Sequence, residues 1–286
     1  MKVPFRLLDV FAEAPFSGNQ LCVVPDVPEG LGADTMLMLA REIGFSETTF
    51  VTAVRDDGYD VRIFTPDAEL AFAGHPTIGT AFVLVAEARV APSLVQTSAA
   101  GDVPVEVDLA NGRATMHQLP PVFGEPFDDR AAVAAAAGLE AADLVDGLPI
   151  VSASTGIAHL MVPVREEATL RSAARDPRLS TEVCEAADAE SLYLFTVRGE
   201  GDVMARMFDR FPTIWEDPAT GSAAGPLGAY LSRHGLAGMP GRAVVAQGEM
   251  IGRPSFLHLR VAPDGDSWAI EVEGGVRSTG EGTFSV

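Results

Sequence analysis

Three side chains in this sequence are candidates to carry chemistry: Glu47, His75 and Asp217. Glu47 stands among Phe45, Phe50 and Val51. Partial desolvation there would raise a carboxyl pKa, so that one group serves first as general base and then as general acid. Spacing alone also allows a surface carboxylate on a strand edge. His75 lies in Ala73-Gly74-His75-Pro76-Thr77, with Pro76 read as the first position of a helix. The positive end of a helix dipole disfavours imidazolium, so a neutral, hydrogen-bonding histidine fits, as does a capping or core histidine. Asp217 opens Asp217-Pro218-Ala219-Thr220-Gly221-Ser222-Ala223-Ala224-Gly225. It either orients a substrate amine or hydroxyl or caps the helix that follows.

Both small-residue stretches run into apolar helical patterns, Phe82-Val83-Leu84-Val85 after the first and Leu227, Tyr230 and Leu231 after the second. Each reads as a helix N-terminus, where unpaired backbone N–H groups and the dipole favour an anion. Two such starts, about half a chain apart, predict one site built between two similar halves.

Several familiar chemistries are absent. Ser222 sits in Thr-Gly-Ser-Ala-Ala-Gly, which is not the G-x-S-x-G nucleophile elbow, so a hydrogen-bonding role fits better than a nucleophilic one. No Gly-Lys-Ser/Thr follows the small-residue turns, which rules out a P-loop. His117, His159, His234 and His258 are scattered without metal-ligand spacing and read as structural. Cys22 and Cys184 lie far apart in no CxxC pattern. Glu273-Gly274-Gly275-Val276 reads as a turn.

The elements that must carry these residues follow from periodicity. Residues 34–43 have an amphipathic helical spacing with Asp34 at the start, and Gly44 ends it. Ser46–Val51 is β-branched and strand-like, which puts Glu47 at a strand entrance. Residues 59–65 alternate as a strand, and 77–86 form a very apolar helix. The proline-rich run 118–126 is the best linker candidate. Beyond it the program repeats: a helix at 130–137, then strands at 150–154, 159–164, 192–197 and toward Met207 and Phe208. Hairpin-like strands at 255–261 and 268–272 close the chain. Gly18-Asn19-Gln20-Leu21 loosely parallels Thr155-Gly156-Ile157-Ala158-His159, each ahead of an apolar strand. One very apolar helix per half, among many short strands, predicts a helix wrapped by sheet in each.

The 286 residues exceed a typical domain of roughly 100–200 residues. Two domains are expected, 1–120 and 121–286, with the final strand able to pack back on the first. The net charge of −20, from 40 acidic and 20 basic residues, argues against a nucleic-acid partner. No leader pattern opens the sequence, and no apolar run reaches the roughly 18 residues of a membrane span. A cytoplasmic enzyme without membrane contact is expected.

The ordered set of segments resembles the PhzF-like family, the phenazine-biosynthesis isomerase and its relatives, within the diaminopimelate-epimerase-like superfamily. The resemblance spans nearly the whole length. It runs through Asp9-Val10-Phe11 with Phe16-Ser17-Gly18-Asn19, Gly44-Phe45-Ser46-Glu47-Thr48-Thr49-Phe50, and Arg62-Ile63-Phe64-Thr65-Pro66 with Glu69-Leu70. It continues through Phe72-Ala73-Gly74-His75-Pro76-Thr77, Thr155-Gly156, Glu216-Asp217-Pro218-Ala219-Thr220-Gly221-Ser222-Ala223, and Gln247-Gly248 with Gly252-Arg253-Pro254-Ser255.

What the resemblance implies is an α+β fold of two pseudo-symmetric domains, each a curved sheet or barrel around a central helix, with the active site in the cleft. It also implies a homodimer and neither metal nor organic cofactor. Glu47 matches the proton-transferring carboxylate, and His75 and Asp217 match its partners in substrate positioning and proton handling. Ser222 matches a site hydrogen-bonder, Gly74 and Gly221 supply backbone N–H groups to a substrate carboxylate, and Asn19 joins them as a substrate-binding residue. Related racemases carry a cysteine at each helix start. Ala73 and Pro218 stand in those places here, which excludes a two-thiol mechanism. The expected activity is a cofactor-independent isomerisation that moves a proton and a double bond on a small carboxylate-bearing metabolite. The alternatives are an epimerase pairing Glu47 with Asp217 or His75, and a ligand-binding protein without turnover, which would not need all three groups.

Overall fold

A computed structural model of the chain describes residues 1–210 and 215–286. In chain order the strands are β1 (Lys2–Val10), β2 (Asn19–Val24), β3 (Glu47–Arg55), β4 (Gly58–Phe64), β5 (Glu69–Leu70), β6 (Ser93–Ser98), β7 (Gly101–Asp108) and β8 (Arg113–Gln118). There follow β9 (Val122–Pro126), β10 (Val151–Ser154), β11 (Ala158–Pro163), β12 (Ser191–Gly199), β13 (Asp202–Asp209), β14 (Gly241–Gln247), β15 (Ser255–Asp264) and β16 (Ser267–Ser285). The α-helices are α1 (Ala33–Ile43), α2 (Gly74–Ala86), α3 (Arg130–Ala136), α4 (Glu167–Ser172), α5 (Pro177–Ala186) and α6 (Gly221–Arg233). The chain divides into two compact units, Met1–Gln118 with Glu273–Val286, and Leu119–Val272.

In the first unit the strands neighbour one another in the order β1-β2-β3-β4-β6-β7-β8-β16, and β16 pairs again with β1. The result is a closed eight-stranded barrel with no free edge. Helix α2 runs through it, with eleven of its thirteen residues buried. A helix that is apolar on every side has nowhere else to go. Gly79 makes the fit possible, because a Cβ there would lie 2.5 Å from Leu21 Cδ2 and 2.9 Å from Val10 Cγ2. Helix α1 packs outside, where Met36, Leu39 and Ala40 join Val3, Val24, Phe50 and Phe64. It stops at Gly44, whose φ of 70° closes the last turn through an N–H to Ala40 O bond.

The second unit repeats the program. In both units an antiparallel pair (β1–β2; β10–β11) leads to a parallel pair (β2–β3; β11–β12), an antiparallel pair (β3–β4; β12–β13), a second parallel pair (β4–β6; β13–β14) and an antiparallel pair (β6–β7; β14–β15). The first parallel crossover carries the outer helices, α1 in one unit and α4 with α5 in the other. The second carries the central helix, α2 or α6. Helix α6 buries all its residues from Gly221 to Ser232. On the outer side, α3 and α5 enclose Val133, Leu144, Leu160, Val162, Leu192 and Phe208.

Three sequence expectations need correction. The proline-rich run 118–126 is not all linker, since Val122–Pro126 pairs with β10. Pro120 and Pro121 precede that strand, and Pro126 is its last residue, on a strand at the end of the sheet order that needs few ladder donors. Glu273–Val276 is no turn but lies within the nineteen residues of β16. Gly274 and Gly275 are required for close approach, as a Cβ would lie 2.2 Å from the Phe11 ring or 2.4 Å from Ala12 O. Pro76 is the third helical residue rather than the first, because α2 starts at Gly74.

Candidate active site

In the first unit, Asn19, Glu47 and His75 come together. Asn19 opens β2, Glu47 opens the parallel neighbour β3 opposite Leu21, and His75 lies in the first turn of α2. Ser46 Oγ donates to Asn19 Oδ1 at 3.0 Å, and Asn19 Nδ2 lies 3.2 Å from His75 Nδ1. On its other side, His75 Nε2 lies 3.4 Å from Glu47 Oε2. His75 is 3% exposed, while the Glu47 side chain keeps 15% of its surface. Burial pushes the His75 pKa down to about 3, against a smaller opposing effect of a hydrogen bond with the Gln20 backbone. At neutral pH the imidazole is therefore neutral, and its contact with Glu47 is not an ion pair.

Buried polar bonds hold this arrangement. Thr77 Oγ1 donates to Ala73 O at 2.8 Å, Gln96 Nε2 donates to Thr77 Oγ1 at 2.7 Å, and Tyr59 donates to Gln96 Oε1 at 2.8 Å. Thr49 and Thr80 share a hydroxyl hydrogen bond of 2.8 Å that ties β3 to α2. The helix start and the Glu47 strand are thus joined through satisfied interior groups, which fix geometry where water cannot compete.

In the second unit, Asp217 and Ser222 flank the start of α6. Asp217 is 6% exposed, its N–H donates to Met207 O at 3.2 Å, and its Oδ2 accepts from Thr220 Oγ1 at 2.6 Å. Gln247 Nε2 donates to Asp217 O at 2.8 Å and to Thr220 Oγ1 at 2.9 Å. Its Oε1 accepts from Tyr193 at 3.1 Å and from the Thr220 N–H at 3.3 Å. Gly248 lets this backbone pass close, since a Cβ there would lie 2.6 Å from Pro218 O and its φ is +77°. Beside Asp217, Glu216 forms a buried bidentate pair with Arg206 at 2.9 and 2.6 Å, and Arg206 also donates to the carbonyls of Leu170, Arg171 and Ala173. Ser222 Oγ lies 3.0 Å from His159 Nε2.

Comparison with known proteins identifies the family of the chain. The family model described as phenazine biosynthesis-like protein, PhzC-PhzF, matches residues 8–281. The chain belongs to the phenazine biosynthesis-like family. It is 35% identical over 283 residues to trans-2,3-dihydro-3-hydroxyanthranilate isomerase of Pseudomonas aeruginosa, covering 97% of this chain and 98% of the relative. It is 32% identical over 270 residues to the uncharacterized isomerase YddE of Escherichia coli K12, covering 91% of each. Among solved structures it superposes on a phenazine biosynthesis protein of the PhzF family from Bacillus anthracis with a TM-score of 0.89, at 26% identity and full coverage of both chains. A probable proline racemase from Agrobacterium radiobacter shares the fold at a TM-score of 0.71 and 13% identity, over 99% of this chain and 93% of that one. This family member is accordingly an isomerase with an epimerase-like fold.

Neither helix start of this PhzF-like chain holds a thiol. Cys22 lies on β2 and Cys184 in α5, both buried, and burial pushes each thiol up to about 12. Sequence reasoning gave no role to Thr220, Gln247 or Arg206, and it set His159 aside as structural. The signals were Thr220 and Gln247-Gly248 within the family segments and the loose parallel between the start of β2 and the start of β11.

Proposed function

We propose that this chain isomerises a small carboxylate-bearing metabolite by moving a proton, and with it a double bond, without a cofactor. Glu47, as carboxylate, takes a proton from a carbon activated by a neighbouring unsaturated or carbonyl group. The resulting negative charge delocalises, and the protonated Glu47 returns the proton to another carbon on the same face. Substrate and product have the same atoms, and the carboxylate is regenerated. His75 and Asp217 position the substrate and stabilise the shifting charge. Gly74 and Gly221 offer backbone N–H groups to its carboxylate, with Ser222 and Asn19 contributing hydrogen bonds.

The observation that carries this reading is the 3.4 Å approach of a buried, neutral His75 to the partly exposed Glu47. A neutral imidazole leaves the carboxylate free to change protonation, whereas imidazolium would pin it as an anion. The name of the P. aeruginosa relative supplies the first compound to try, trans-2,3-dihydro-3-hydroxyanthranilate, and the homodimer in this reading is checked by light scattering of the purified chain.

The test is turnover in heavy water. Wild type should convert the substrate, and Glu47→Gln should lose about a thousandfold or more in kcat with its fold retained. Full activity in Glu47→Gln would remove Glu47 from the mechanism. Deuterium delivered to the opposite face would replace the one-base isomerisation by an epimerase-like, two-base course.

A further inference from the structure

The polar cluster behind Ser222 has no part in the steps above. His159 on β11 and Ser191 at the start of β12 are brought side by side by a parallel register in which Leu160 faces Leu192. His159 Nδ1 lies 2.7 Å from Ser191 Oγ, and its Nε2 lies 3.0 Å from Ser222 Oγ. All three residues are buried, His159 to 2% exposure and Ser191 completely. The ring is neutral, because burial pushes its pKa down to about 3.

A neutral imidazole has one N–H and one lone-pair nitrogen, so its two tautomers present Ser222 with opposite partners. With the proton on Nδ1, Ser222 must donate to Nε2, and its oxygen alone faces outward. With the proton on Nε2, the ring donates to Ser222 and the serine proton is left for something else. Ser191 decides between them. Its hydroxyl has His159 as its one hydrogen-bond partner among the described residues. An Nδ1–H would leave the Ser191 proton buried with no acceptor, whereas an Nδ1 lone pair satisfies it.

We propose that His159 is a positioning residue: held by Ser191 as the Nε2–H tautomer, it donates to Ser222 Oγ and so commits the Ser222 proton to an acceptor oxygen on the substrate. The acceptor is of carboxylate type, matching the positive end of α6 at which Ser222 sits. The same tautomer denies Ser222 a base, which keeps it from acting as a nucleophile. This inference rests on the reading of Ser222 as a substrate hydrogen-bonder.

The test begins with 15N-histidine spectra of the wild-type protein, the His159 signals being assigned by their loss in His159→Gln. A protonated Nε2 and an unprotonated Nδ1 at pH 7 are expected. An Nδ1–H tautomer or a charged ring overturns the proposal. With trans-2,3-dihydro-3-hydroxyanthranilate as substrate, Ser191→Ala should raise KM about tenfold and leave kcat within about threefold. Ser191→Thr, which keeps the hydroxyl, should restore both KM and the tautomer. His159→Gln should add nothing to the KM of Ser222→Ala, because both act through one hydroxyl. A shifted tautomer with an unmoved KM overturns the proposal, as does additivity with Ser222→Ala. If Ser191→Ala fails to fold, the wild-type spectrum and Ser191→Thr carry the test. Wild type that leaves this compound unchanged counts against the isomerase reading, while the spectrum still decides the His159 tautomer.

Discussion

Gln96 and Gln247 occupy equivalent strands of the two units and perform the same task. Each lies on the strand that follows the central helix, and each joins a buried tyrosine to a threonine at that helix's start: Tyr59 to Thr77 through Gln96, and Tyr193 to Thr220 through Gln247. The tyrosines are not equivalent. Tyr59 is on β4, whereas Tyr193 is on β12, the counterpart of β3. The duplicated fold has kept the glutamine lock while changing the strand that anchors it.

Gln247 also holds the Asp217 carbonyl and the Thr220 N–H, whereas Gln96 bonds to the side chains of Tyr59 and Thr77. Gln96→Ala and Gln247→Ala should each cost about 2–4 kcal/mol of stability, from stranded polar partners and a small cavity. Only Gln247→Ala should also impair turnover strongly, through a loosened Asp217. Urea denaturation beside steady-state kinetics checks both. Equal losses of turnover would show that the Asp217 backbone bond is dispensable.

Acid should weaken the fold before the carboxylates titrate. His75 and His159 are lowered from 6.5 to about 3 in the folded chain. Below about pH 6.5 the unfolded chain binds protons at these rings and the folded chain does not, so stability falls as pH falls toward 3. The slope is about 1.4 kcal/mol per pH unit for each ring. Denaturation midpoints at pH 7 and 5.5 should show this loss, and His159→Gln should show a shallower one. An unchanged slope in His159→Gln would mean that the ring charges freely in the native state.

The thiols should be spectators. Cys22 and Cys184 are buried and protonated, and a thiol is nucleophilic or basic only as thiolate. Iodoacetamide on the native chain should leave activity intact, and Cys22→Ser and Cys184→Ser should each keep kcat within about threefold. Loss of turnover in a folded Cys22→Ser protein would reinstate thiol chemistry.

Local signals were enough for the framework. The unbroken apolar run of α2 could only be an interior helix, and the β-branched stretch from Thr48 onward placed Glu47 at a strand entrance. What stayed hidden depends on partners distant in sequence. His159 meets Ser222 across 63 positions, and Gln247 reaches Asp217 across 30, so neither spacing nor composition announces them. The Gly274-Gly275 pair misled for the same reason. Glycine usually marks a turn, but here it gives room to Phe11 and Ala12, whose proximity only the folded barrel reveals.

The nineteen-residue strand β16 has a consequence for how the molecule is made. The first unit takes β1 through β8 from one stretch of chain and its eighth stave from residues beyond Val272. Leu119–Val272 is thus, in topological terms, an insertion within the first barrel. During synthesis that barrel waits with β1 and β8 as open edges until the inserted unit has been translated, and both edges are templates for wrong pairing in the interval. A fragment limited to residues 1–118 inherits the same two raw edges, whereas Leu119–Val272 is a continuous stretch that a ribosome could deliver whole.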